Sequence, residues 1–142
     1  MDEPSPASYL AGLSGVAKTL AEATHDLLIS AGCTGYVKTI YIGYDIEGEM
    51  VAALYGHQDH IEVALALPED AEHPLLIDAS HLTWRTLPVA AVVREHSQLG
   101  PLAALIDLAC ERVRTQQHEV MRDNDFFTRA RRGGRGTRPT SH

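Results

Sequence analysis

The chain has 142 residues, 44% of them hydrophobic, and a formal net charge of −7. That length suits one domain with tails and a self-sufficient core, and no apolar run approaches the ~20 residues that cross a bilayer. The acidic start Met1-Asp2-Glu3-Pro4-Ser5-Pro6 lacks the hydrophobic segment of a secretory signal, so the expected location is cytoplasmic.

Residues 1–8 read as a disordered Pro/Ser leader, with Ser8 the expected N-cap of an amphipathic helix. Leu10, Leu13, Ala17, Leu20, Thr24, Leu27 and Ala31 recur at spacings of three and four and form its apolar stripe. Gly32 is placed to end this helix, while Gly12 and Gly15 weaken its first turns by about 1 kcal/mol each. Three β-type runs follow, Val37–Tyr44, Met50–Tyr55 and Ile61–Leu67. The turns Ile46-Glu47-Gly48-Glu49 and Gly56-His57-Gln58-Asp59 separate them. In the third run Ile61, Val63, Leu65 and Leu67 share one face and Glu62, Ala64 and Ala66 the other. The first face meets a core, and the small alanines imply partial cover of the second. Pro68–Pro74 is a loop, and Leu75–Ala79 is a helical turn or a brief extended piece. Thr83–Arg94 is a fourth β-run, which Pro88 assigns to a sheet edge or a bulge. Ser97 is the expected cap of a closing helix striped by Leu102, Leu105, Ile106, Ala109 and Val113.

This order predicts one α+β domain over residues 9–122: an antiparallel four-stranded meander sheet packed by an N-terminal and a C-terminal helix. Residues 123–142 are basic and Gly/Arg-rich and read as a disordered tail. Charge divides the same way. Five of the twelve basic residues and none of the nineteen acids lie in residues 129–142, which leaves the first 128 residues at a net −12. Such a body repels phosphates. Cys33 and Cys110, far apart in sequence, read as free thiols, Cys110 in the core and Cys33 exposed after Gly32.

Four groups of residues carry candidate chemistry. Trp84 and Arg85 open the fourth run and, with Lys38 and Tyr41, make a candidate ligand or partner surface. His57 and His60 form an H-x-x-H followed by Glu62; these are weak metal candidates, with His73 or His81 available as a further ligand. Ser80-His81 with Asp78 evokes a nucleophile and base, but adjacent side chains rarely meet in triad geometry and no G-x-S-x-G elbow exists. Arg129, Arg131, Arg132, Arg135 and Arg138 make an RGG-like tail for nucleic acid or an acidic surface. No cofactor motif is present.

The succession of a helix, VKTIYIGYDIEGEMVAALYGHQDHIEVALALP, WRTLPVAAVV and LAALIDLACERV resembles domain-of-unknown-function family 5655 and, more distantly, the YdhG-like and YjbR-like small α+β domains. The resemblance spans roughly Leu10–Val113. It implies the same helix–meander–strand–helix order and carries over no catalytic residue.

The leading expectation is a non-enzymatic binding or protein-interaction module, with a protein partner or a homodimer as its complex. The alternatives are a small metal-dependent enzyme using His57, His60 and Glu62, and weak nucleic-acid binding through the tail. Enzymatic activity is left open.

Overall fold

The computed structural model describes residues 5–38, 40–82 and 86–132, with side chains as far as residue 116. The expected N-terminal helix is two helices. Ser5, not Ser8, caps the first: Ser5 Oγ accepts from the Ser8 N–H at 3.1 Å, and Ser8 Oγ accepts from the Ser5 N–H at 2.9 Å. This reciprocal box, with Pro6 in the first turn, starts α1 (Pro6–Ala11). Gly12 ends α1, Ser14 is the extended N-cap of α2 (Gly15–Ser30), and Gly15 stands at φ 61. The two glycines that weaken a continuous helix are therefore where it breaks. Gly32 leaves α2 at φ 102, a left-handed value that glycine tolerates.

The sheet has six strands, not four: β1 (Thr34–Val37), β2 (Ile42–Ile46), β3 (Glu49–Gly56), β4 (Ile61–Leu65), β5 (Leu76–Asp78) and β6 (Val89–Val93). Their spatial order is β1-β2-β3-β4-β6-β5, and every pairing is antiparallel. Two differences from the expected meander make up the count. The run Val37–Tyr44 is split by a turn in which the Lys38 N–H donates to the Tyr41 carbonyl at 2.8 Å. Tyr36 then lies across Gly43, its ring occupying the space a Cβ at Gly43 would take, so a larger residue there would displace the ring. Leu75–Ala79 contributes β5, which pairs with β6 and makes β6 an interior strand. Pro88 is compatible with this because it precedes Val89 and serves as an acceptor, taking the Ala79 N–H at 3.0 Å. The β2–β3 turn forms where expected: Glu47 at φ 52 and Gly48 at φ 85 make a two-residue loop of the kind that matches strand twist.

After β6, Gln98 Oε1 accepts from the Glu95 N–H at 3.1 Å, and a short 3-10 turn, His96–Gln98, leads into α3 (Leu99–Arg132). Ser97 is not the cap; it lies inside that turn and its hydroxyl donates to Glu95. The backbone of α3 continues past residue 122.

Strand alternation and register define two faces. Ile42, Tyr44, Leu54, Val63 and Leu65 lie on one, under α2 and α3, where the Tyr44 hydroxyl meets His25 Nδ1 of α2 at 2.7 Å. Burial, chiefly, pushes the Tyr44 pKa up. Gly43, Ala53, Tyr55, Glu62, Ala64 and Ala90 lie on the other. Ala53, Ala64 and Ala90 are fully buried there, which agrees with the expected cover of the alanine face. Cys33 is buried, not exposed, and its sulfur lies 3.9 Å from that of Cys110.

Candidate functional site

Glu62 sits in the middle of the sheet, opposite Tyr55 on β3 and Val92 on β6. It is the only buried charged residue among those described, at 7% exposure. Its Oε2 accepts from His81 Nε2 at 2.5 Å and its Oε1 from His57 Nε2 at 3.3 Å. A buried carboxylate needs such partners, because an unpaired one carries a large desolvation penalty. Both histidine side chains remain half exposed, at 42% for His57 and 49% for His81. With Nε2–H donating to the carboxylate, a neutral imidazole presents Nδ1 as an acceptor.

Two local structures deliver these imidazoles. The His57 N–H donates to the His60 carbonyl at 2.9 Å, closing the β3–β4 loop and setting both histidines at its mouth. Their rings stack with centroids 4.6 Å apart and planes within 12°. His60 Nδ1 bonds Asp59 Oδ1 at 2.8 Å, and this bond holds the Asp59 carboxyl below the usual carboxylate range. His81 arrives from the β5–β6 connection. There Asp78 Oδ1 accepts the Ser80 N–H at 2.6 Å, ending β5 and starting a 3-10 turn over Ser80–Leu82. That backbone bond depresses the Asp78 pKa.

The H-x-x-H and Glu62 thus come together as the sequence suggests, with a correction to which ring does what. His57 and His81 reach Glu62, while His60 stacks on His57 and bonds Asp59. His73 is elsewhere, its Nδ1 taking the Leu75 N–H at 3.1 Å. His81, one of the two further histidines that the sequence offers to this group, pairs with Glu62 from 19 residues away, a choice over His73 that spacing does not make. Among the described residues, no three His, Cys, Asp or Glu side chains are grouped so as to hold a metal ion. Asp78 bonds the Ser80 backbone and His81 turns to Glu62, so the Asp78-Ser80-His81 run is not a triad.

Of the other candidate surface, Tyr41 stands beside the cluster. Its ring is 5.5 Å from that of Tyr55, the direct cross-strand neighbour of Glu62. Lys38 Nζ lies 5.9 Å from the Tyr36 ring centroid, at the outer limit of a cation–π contact. Trp84, Arg85, Arg135 and Arg138 lie outside the described residues, as do the side chains of Arg129, Arg131 and Arg132. A separate open cavity of about 330 Å³ lies between the sheet and α3, with Met50, Leu67, Pro88 and Val113 as apolar walls and Glu69 and Arg112 as charged ones. No helix among the described residues is long and apolar enough to cross a membrane.

Comparison with protein-family models, with curated proteins and with solved structures gives no match.

Proposed function

We propose that the protein is a non-enzymatic binding module that recognises a protein partner through the surface formed by His57, His60 and His81 around Glu62. Glu62 is the observation that carries this reading. It is a carboxylate buried in mid-sheet, with each oxygen committed to an imidazole that is itself half exposed. Burying that carboxylate costs desolvation that its hydrogen bonds offset, so the cluster is a weak source of stability compared with apolar residues of the same volume. The cluster is better accounted for by what it presents outward: Nδ1 acceptors that become donors on protonation. Half-buried Tyr41, packed on buried Tyr55, adds an aromatic residue of the kind that interfaces favour.

The test is comparative capture. Full-length wild type and a His57→Ala/His81→Ala double variant are immobilised side by side. Any protein retained by the wild type is purified and titrated against both by calorimetry. The expected result is an affinity at least about tenfold weaker for the double variant. Equal affinities, or no protein retained by the wild type, contradict the reading.

A further inference from the structure

Cys33 and Cys110 are 77 positions apart in sequence, yet their sulfurs lie 3.9 Å apart. Cys33 is 6% exposed and Cys110 1%. Cys33 follows Gly32, where the chain turns out of α2 toward β1, and Cys110 lies on α3. The same corner is held at a second point. Arg114, one turn beyond Cys110, donates its Nη2 to the Ala31 carbonyl at 2.7 Å and lies 2.8 Å from where a Cβ on Gly32 would stand. Gly32 therefore lets Arg114 come close, and Arg114 puts a cation beside two thiols. Its charge pulls the pKa of both downward, while burial opposes ionisation of both. Within the pair the sulfur–sulfur hydrogen bond is the largest influence, lowering Cys110 and raising Cys33.

We propose that Cys33 and Cys110 are a redox modification site, a dithiol that a hydroperoxide converts into an intramolecular disulfide joining the start of β1 to α3. The sulfurs must approach by about 2 Å to reach bonding distance. Cys110 gives up its proton and the thiolate attacks the outer peroxide oxygen; the O–O bond breaks, Cys110 becomes a sulfenic acid, and the departing alkoxide or hydroxide takes up that proton and leaves as alcohol or water. Cys33 then attacks the Cys110 sulfur and expels hydroxide, which takes the Cys33 proton to leave as water. Two thiols lose two electrons, and one hydroperoxide is reduced. The bond closes a long loop through the whole sheet, the case in which a cross-link most constrains the unfolded chain.

Reduced full-length protein is treated with hydrogen peroxide at a concentration that oxidises a small dithiol control. Thiols are then counted with a maleimide in denaturant, the products mapped by peptide mass spectrometry, and the melting temperature measured. The expected result is loss of both thiols in the monomer, a Cys33–Cys110 cross-linked peptide, and a melting temperature higher by about 5–10 °C. Cys33→Ser and Cys110→Ser each show no such gain under peroxide. Retention of both thiols, over-oxidation of one, disulfide-linked dimers, or a cross-linked form that melts below the reduced one overturns the proposal. The wild-type measurements decide it even where a serine variant folds poorly.

Discussion

On its helix side the sheet carries Ile42, Tyr44, Leu54, Val63 and Leu65, all fully buried beneath α2 and α3. On its other side it carries Gly43, Ala53, Ala64, Ala90 and, among them, the carboxylate of Glu62. Large branched and aromatic side chains on the first face provide most of the apolar area that drives folding. The second face carries the buried ring of Tyr55 but is otherwise built largely of glycine and alanine. A connection rather than a helix comes down on it, bringing His81 to Glu62. Under the proposed function, stability and recognition fall on different sides of the same strands, with the adjacent residues Val63 and Glu62 on opposite faces.

The comparison breaks most visibly in the helix-side core. Leu54→Ala is expected to lower stability by about 2–5 kcal/mol in urea unfolding, while leaving partner affinity unchanged once the variant is folded. Glu62→Ala should remove about 1–3 kcal/mol, since His57 and His81 lose their acceptor, and it should also weaken partner binding. A loss of stability without any loss of binding would assign Glu62 to the core. Thr24 sharpens the contrast from the other direction. Its Oγ1 is buried in the helix layer with no hydrogen-bond partner, so Thr24→Val should raise stability by about 0.5–1 kcal/mol by the same unfolding curve.

The smallest effect is a pH dependence. The Asp78 pKa is depressed in the folded chain by the Ser80 backbone N–H. A depressed carboxyl stabilises the fold above its unfolded pKa of about 3.9, and that contribution is lost as pH falls through the lower folded value. Wild type should therefore exceed Asp78→Ala in melting temperature at neutral pH, with the gap closing below about pH 4. A gap that widens on acidification would contradict the assignment.

The parts of the fold that local chemistry dictates are readable in the residues. Glu47-Gly48 marks its hairpin, Gly32 ends its helix, and alternation in Ile61–Leu65 separates the two faces. The parts set by tertiary context are not. VKTIYIGY is mostly β-branched and aromatic, so its pattern does not announce the fold-back in which the Lys38 N–H meets the Tyr41 carbonyl. Leu76–Asp78 is too short for a periodicity and becomes a strand because β6 offers it an edge. In the site, His57, His60 and Glu62 are close in one hairpin and can be singled out by spacing. His81 is available to that group in the sequence, but the choice of His81 over His73, like the approach of Cys33 to Cys110, joins elements distant in sequence and is set by the topology.

The claim at the centre is that Glu62 and the histidines beside it act as one unit. A double-mutant cycle on Glu62→Gln and His81→Ala, read by urea unfolding, tests it most directly. The expected result is a coupling of about 1–3 kcal/mol between the two substitutions. Additivity within about 0.5 kcal/mol would show that the 2.5 Å contact does not hold the pair together in solution, and would contradict it.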